Sequence, residues 1–205
     1  MIEVKHLVKK YGDHTAVDDL SFTLESGKIY GFLGPNGAGK STTMNMMTGY
    51  IASTSGEILI NGHDILKEPE EAKKCIGYLP EIPPLYIDMT VWEYLVTVAD
   101  LKKVPKAKRN AMLSQIMETV QITDMKKRLI KNLSKGYRQR VGIAQALIGY
   151  PEIIILDEPT VGLDPKQIIE IRDLVRSLGE KHTVILSSHI LTEISAVCDY
   201  VLIIN

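Results

Sequence analysis

Residues 34 to 41, Gly-Pro-Asn-Gly-Ala-Gly-Lys-Ser, constrain this chain more than any other stretch. The pattern G-x-x-x-x-G-K-[ST] describes a loop whose glycines let backbone N–H groups wrap a polyphosphate. Its lysine reaches the outer phosphates and its serine hydroxyl binds Mg²⁺. Average composition makes a chance match in a chain of this length an event of about one in a hundred. The loop also sits where the chemistry needs it. The apolar run IYGFL precedes it as a strand, and TTMNMMTGY follows it as a helix, whose start offers free N–H groups and partial positive charge.

The rest of the chain divides by character. IEVKHLVKKY, TAVDDLSFTL and KIYGFL read as strands separated by the turn pairs Gly12-Asp13 and Ser26-Gly27. GEILINGHDI reads as a further strand with a turn at Asn61-Gly62. From residue 86 the signals become helical. Thr90 with Glu93 three residues on is a capping box, and Pro105 suits the first turn of a second helix. After Pro151 the β signal returns. EIIILDEP and HTVILSSH are nearly all apolar, as parallel strands covered on both faces are. Between them PKQIIEIRDLVRSLG reads as a helix ended by Gly179. The expected organisation is one α/β domain over residues 1–205. Residues 1–85 and 151–205 form its catalytic core with a β subdomain, and residues 86–150 form an inserted helical subdomain. The last residues, VLIIN, read as a strand just completed, so the chain is expected to be a piece of a longer polypeptide.

With 45% apolar and 24% charged residues, the chain can bury an ordinary core. A net charge of −1 gives no general pull toward nucleic acid or anionic lipid, although it leaves room for a local basic patch. Cys75 and Cys198 lie far apart with no CxxC, the pattern of reduced cysteines in a cytosolic protein. The N-terminus carries no apolar leader segment. The longest apolar runs, such as IIIL, fall far short of the roughly 20 residues of a membrane span. Work at a membrane would need another chain to cross it.

Two further stretches belong with the phosphate loop. IIILDEP delivers Asp157 and Glu158 at the C-terminal end of an apolar strand, where ligand sites of open α/β sheets lie. Asp157 suits the Mg²⁺ side, and Glu158 suits a base that orients or deprotonates an attacking water. LSKGYRQR, residues 133 to 140, marks a second helix start and hence a second anion-reading turn.

GPNGAGKST, LSKGYRQR, IIILDEPTVGLDP and ILSSH, in this order and spacing, resemble the nucleotide-binding domain of ATP-binding cassette (ABC) transporters. The chain is most similar to ATPase subunits of multidrug or polysaccharide export-type systems. The resemblance implies a RecA-like P-loop NTPase core with an antiparallel β subdomain and a helical insert. It implies ATP and Mg²⁺ as ligands, with catalysis by Glu158, His189 and Lys40. Tyr11 matches the aromatic that stacks on adenine, and Val17 is a further nucleotide-binding position. Gly34, Pro35, Asn36, Gly37, Ala38, Gly39, Lys40, Ser41 and Thr42 match the Walker A loop. Ser41, Glu81 and Asp157 match the metal-side residues. His189 matches the switch histidine, whereas His6, His14, His63 and His182 are expected at the surface. Leu133, Ser134, Lys135, Gly136 and Tyr137 match the signature turn, and Gly162, Leu163 and Asp164 the D-loop.

In that family the signature turn caps ATP held by a partner subunit, so two chains pack head to tail around two ATP molecules. The implied partners are a second copy and an integral-membrane subunit, with no nucleic acid, at the inner face of the cell membrane in the cytoplasm. The stretch IPPLYIDMTVWEYL after Glu81 matches the groove that receives a cytoplasmic helix of the membrane subunit.

Two positions depart from the family pattern. Lys135 and Tyr137 replace Gly and Gln of the usual LSGGQ, and the Lys135 ammonium is expected near the seam. Glu81 replaces Gln; a carboxylate still ligates Mg²⁺, so Glu81→Gln is expected to keep ATPase activity within about tenfold. A DNA-repair-type cassette ATPase, a translation-type one and a non-catalytic switch are the alternatives. The short insert, the single cassette and the intact Lys40, Asp157, Glu158 and His189 weigh against each in turn.

Overall fold

The computed structural model describes residues 1–205. The run Ile153–Leu156 (β7) lacks alternation because all four side chains are buried within a five-stranded parallel sheet. The other members are β3 (Ile29–Leu33), β6 (Ile76–Leu79), β8 (Thr183–Ser188) and β9 (Tyr200–Ile203), in the order β6-β7-β8-β3-β9. Ile153 and Ile155 join an apolar cluster with Tyr30, Phe32, Met44 and Met47 on one side. Ile154 and Leu156 join the larger cluster, which holds most of the helical residues, on the other.

The first cluster is closed by an antiparallel sheet. It is built from β1 (Ile2–Tyr11), β2 (His14–Leu24), β4 (Ser55–Ile60) and β5 (His63–Asp64), in the order β2-β1-β4-β5. The long β1–β2 pair shifts register three times, and His6 and Asp19 take φ of 50° and 45° there.

Seven helices complete the fold: α1 (Lys40–Met47), α2 (Pro69–Lys74), α3 (Val91–Leu101), α4 (Lys106–Thr119), α5 (Lys135–Leu147), α6 (Pro165–Gly179) and α7 (Leu191–Ile194). The capping box at Thr90 and Glu93 starts α3. Pro105 precedes α4 as its cap rather than entering its first turn, because its ψ of 131° is still extended. Leu95, Leu113, Ile116 and Val141 pack these helices together with almost no exposure. Buried Arg140 on α5 joins them to α6: it donates to the Val120 carbonyl at 3.0 Å and to Glu170 at 2.9 Å.

Register brings the functional stretches together. Leu33 pairs with Ser188, and Leu156 pairs with both Leu186 and Leu79. Gly34, Glu81, Asp157 and His189 therefore all follow strand ends on one edge of the sheet, the binding edge of open α/β folds. No helix is long and apolar enough to cross a membrane.

Candidate functional site

The loop between β3 and α1 shows why its glycines are needed. Gly39 caps α1 at φ 93°, and a Cβ there would meet the Ala16 carbonyl oxygen at 2.5 Å. Lys40 is buried, and its ammonium donates to the carbonyls of Gly34 at 2.8 Å and Pro35 at 3.2 Å. The ammonium also stands 3.7 Å from Glu158 Oε1. The loop thus curls around its own lysine, with the charge held at its mouth.

A cavity of about 520 Å³ opens over this loop. Asn36, Gly37, Gly39, Lys40, Ser41 and Thr42 form one wall, and Glu81, Glu158 and His189 another. Tyr11, His14 and Ala16 close it from the antiparallel sheet, with Tyr11 half exposed. Gly34, Pro35 and Ala38 shape the loop without lining the cavity. Val17 is buried beneath the loop, 3.2 Å from where a Gly39 Cβ would lie, and its neighbour Ala16 faces the opening instead. His14 is exposed, as expected, and it also lines the opening. A sign was available in the strand itself: His14 and Tyr11 are direct partners across the first turn.

The two acids are positioned differently. Ser187 on β8 donates to Asp157 at 2.5 Å and accepts from the Glu158 backbone N–H at 2.8 Å. One hydroxyl therefore fixes both residues, and sequence reasoning missed it. Glu158 has φ 46°, a left-handed conformation uncommon for a side-chain-bearing residue. Its carboxylate meets His189 Nδ1 at 3.1 Å as well as Lys40. Behind the loop, buried Glu193 accepts from Thr160 at 2.6 Å and from Ser188 at 3.0 Å, bracing both strand ends.

Asp157 opens instead into a neighbouring cavity of about 600 Å³, which it shares with Ser41 and Glu81. Tyr78 and Asn45 line it too, joined by a 2.9 Å hydrogen bond. Burial pushes the Tyr78 hydroxyl well above its ordinary range, and the Asp157 charge adds to this. Ile82 and Tyr50 on its rim are 83% and 78% exposed. The donor set of Ser41, Glu81 and Asp157 is all oxygen, suiting a hard cation. No group of three His, Cys, Asp or Glu side chains is placed to cage an ion. Mg²⁺ is usually held by one or two carboxylates plus substrate phosphate and water, which this set and the glycine-lined cradle fit.

The second anion-reading turn is separate. Ser134 caps α5, its hydroxyl accepting from the Tyr137 N–H at 3.4 Å. Ser134, Gly136, Tyr137 and Asp164 line a third cavity of about 400 Å³, and Leu133 is buried under the turn. The exposed Lys135 arm crosses to Gly162, its ammonium lying where a Gly162 Cβ would go. Gly162 has φ 67° and bends the chain before Asp164 caps α6; Leu163 packs against the core. Residues 158 to 164 thus run from the first cavity, which Val161 lines, to this one.

A family model described as ABC transporter matches residues 17–161. The bacitracin transport ATP-binding protein BcrA of Bacillus licheniformis is 44% identical over 207 residues, spanning all of this chain and 67% of that protein. The lantibiotic transport ATP-binding protein SrtF of Streptococcus pyogenes is 36% identical over 202 residues, covering 98% of this chain and 85% of SrtF. The solved structure of cbiO1 from Clostridium perfringens, part of the ABC transporter complex cbiONQ, superposes with a TM-score of 0.89 at 27% identity. That match covers all of this chain and 84% of cbiO1. The chain belongs to the ABC transporter ATP-binding proteins, ATPases whose hydrolysis of ATP is coupled to transport.

Proposed function

We propose that this chain binds Mg-ATP at the Lys40 cavity, hydrolyses it in a head-to-tail dimer, and thereby drives export through a separate membrane subunit. The convergence of Lys40, Ser41, Glu158 and His189 on one cavity carries this reading. Bound Mg²⁺ would neutralise phosphate charge, held from the protein by Ser41, Glu81 and Asp157.

The chain's own residues supply the rest. Tyr11 offers its exposed ring to the base. The loop N–H groups and Lys40 hold the phosphates, so Lys40 must leave the Gly34 and Pro35 carbonyls and turn toward the ligand. Lys40 then no longer neutralises Glu158, whose carboxylate is left to accept a proton from, or orient, an attacking water. His189, hydrogen-bonded to Glu158, aligns that carboxylate and reaches the outermost phosphate. Ser134 to Tyr137, with Gly162 and Asp164, face a second copy and complete its site, while Leu133 and Leu163, expected to share in this, support the two turns from the core side.

Membrane subunits partner ABC ATP-binding subunits in general. The rim of Ile82, Pro84 and Tyr50 is the surface we assign to such a subunit here, with the chain on the cytoplasmic side. The insert 86–150 forms the helical subdomain and the remainder the core. Export is favoured by the similarity to BcrA and SrtF, whose names describe bacitracin and lantibiotic transport.

The test is the solution size of Glu158→Gln with and without Mg-ATP. Binding should survive, hydrolysis should stop, and the monomer should become a dimer on adding ATP. A variant that binds ATP and stays monomeric contradicts the dimer; one that binds no ATP contradicts the site.

A further inference from the structure

Tyr11 meets the cavity from a place where a side chain is ordinarily loose. It is the last residue of β1, beside the turn that joins it to His14, and its ring is half exposed. A ring so placed samples several rotamers, and a ligand that stacks on it must first hold it still. Here the chain holds it already. The Lys9 ammonium stands over the ring, 5.0 Å from its centre, within the range of a cation–π contact.

The ammonium is itself anchored, donating to the Ala52 carbonyl at 2.7 Å. Ala52 lies in the segment that leaves α1. Tyr50 N and Ile51 N donate to the Asn45 carbonyl in α1 at 2.9 and 3.2 Å, and Thr54 N donates to the Val8 carbonyl in β1 at 2.8 Å. The Lys10 N–H donates to the Thr54 hydroxyl at 2.9 Å. The end of β1 is thus laced to the exit of the helix whose first residue is Lys40. Lys9 carries that lacing out to a side chain that faces the ligand. Lys9 does not line the cavity, whereas Tyr11 does, so it acts on a nucleotide through the ring rather than by contact.

We infer that Lys9 is a positioning residue for the nucleotide base: anchored on Ala52, it keeps the Tyr11 ring in fixed relation to the phosphate loop and occupies one face, so that the base stacks on the other. This rests on the Mg-ATP reading of the Lys40 cavity and deepens it, because it names what makes the base platform rigid. Ordering Tyr11 in advance lets ATP gain affinity without a new contact. A cation behind the ring also draws electron density to its own side, which leaves the open face less negative and better suited to a stacked purine. Lys10 carries the same charge one residue on but stands over no ring, and so serves as a control.

The test is isothermal titration of the chain with Mg-ATP and with Mg-tripolyphosphate, which offers phosphates and no base. Lys9→Met should weaken ATP about three- to tenfold, the worth of one side chain ordered beforehand, and leave tripolyphosphate unchanged. Lys9→Arg keeps a cation over the ring and should bind ATP within about twofold of the parent. Lys10→Met should match the parent, and Lys9→Met should cost nothing further in a Tyr11→Ala chain. Equal losses for ATP and tripolyphosphate would make Lys9 a matter of charge or scaffold and overturn the inference. An unchanged ATP affinity in Lys9→Met, or an undiminished loss in the Tyr11→Ala chain, overturns it too. Tyr11→Ala alone separates the two readings. If it weakens ATP while Lys9→Met does not, the positioning role falls and the site stands; if it weakens nothing, the base platform falls with it.

Discussion

At the scale of single residues, five side chains decide what the site can do. Ser187 spends its one proton on Asp157 and accepts from the Glu158 N–H, so it holds the acids in fixed relation without lowering the reach of Glu158. Glu158 and His189 hold each other, and Lys40 waits on carbonyls that a phosphate would replace. The fifth is Lys135, whose ammonium lies over Gly162 of the same chain. That position ties the capping turn of α5 to the stretch running back to Glu158. Lys135→Gly is therefore predicted to weaken ATP-driven dimerisation of the Glu158→Gln variant and to flatten its salt dependence. Sedimentation velocity across a salt series is the measurement; an unchanged dimer would leave Lys135 as a solvated bystander. Ser187 was not legible in the sequence, because a serine in TVILSSH looks like any strand residue until pairing sets β8 beside β7. His14 and Ala16 were missed for a related reason. Three register shifts in the β1–β2 pair break the two-residue alternation from which facing is read.

At the scale of elements, local chemistry and tertiary demand agree closely. β1 and α6 begin and end where the pattern and punctuation place them, at residues 2–11 and 165–179. The capping box at the head of α3 is reciprocal: Glu93 accepts from the Thr90 N–H at 2.8 Å, and Thr90 accepts from the Glu93 N–H at 3.3 Å. These bonds from the Thr90 backbone and hydroxyl hold the Glu93 carboxyl below its ordinary 4.5. A carboxyl with a lowered folded value stabilises the fold above its ordinary value and loses that contribution as pH falls through the lowered one. Thr90→Ala is thus predicted to cost about 1 kcal/mol at pH 7, and less at pH 3.5. Thermal unfolding at the two pH values checks both statements. The stretch 123–132, with its two three-residue 3₁₀ turns, carries no comparable punctuation. Its shape comes from backbone bonds to residues 87–92, a long-range pairing that no local pattern announces.

At the scale of the whole molecule, the Lys40 cavity draws walls from the antiparallel sheet, the phosphate loop and the ends of β7 and β8. A ligand there fastens parts of the chain far apart in sequence. Mg-ATP at a hundred times its dissociation constant is predicted to raise the melting temperature of Glu158→Gln by roughly 5 to 10 °C. Lys40→Ala should abolish that shift, and scanning calorimetry with and without ligand is the check. The fold class and most of this site could be read from four short stretches because each does its chemistry at a strand or helix end. What escaped reading was the division of the acids between two adjoining cavities, because Asp157 and Glu158 lie past the end of β7, and Glu158 is in a left-handed conformation where strand alternation no longer sets facing. Residues 86–150 hold 12 Lys and Arg against 5 Asp and Glu, and the remaining residues hold 12 against 20, a segregation with a consequence at the bench. A chain with net charge −1 is expected to pass weakly retained through ion exchangers of either sign. One that keeps its cations on the helical insert and its acids elsewhere presents a different face to each resin, and at low ionic strength it will be held by both.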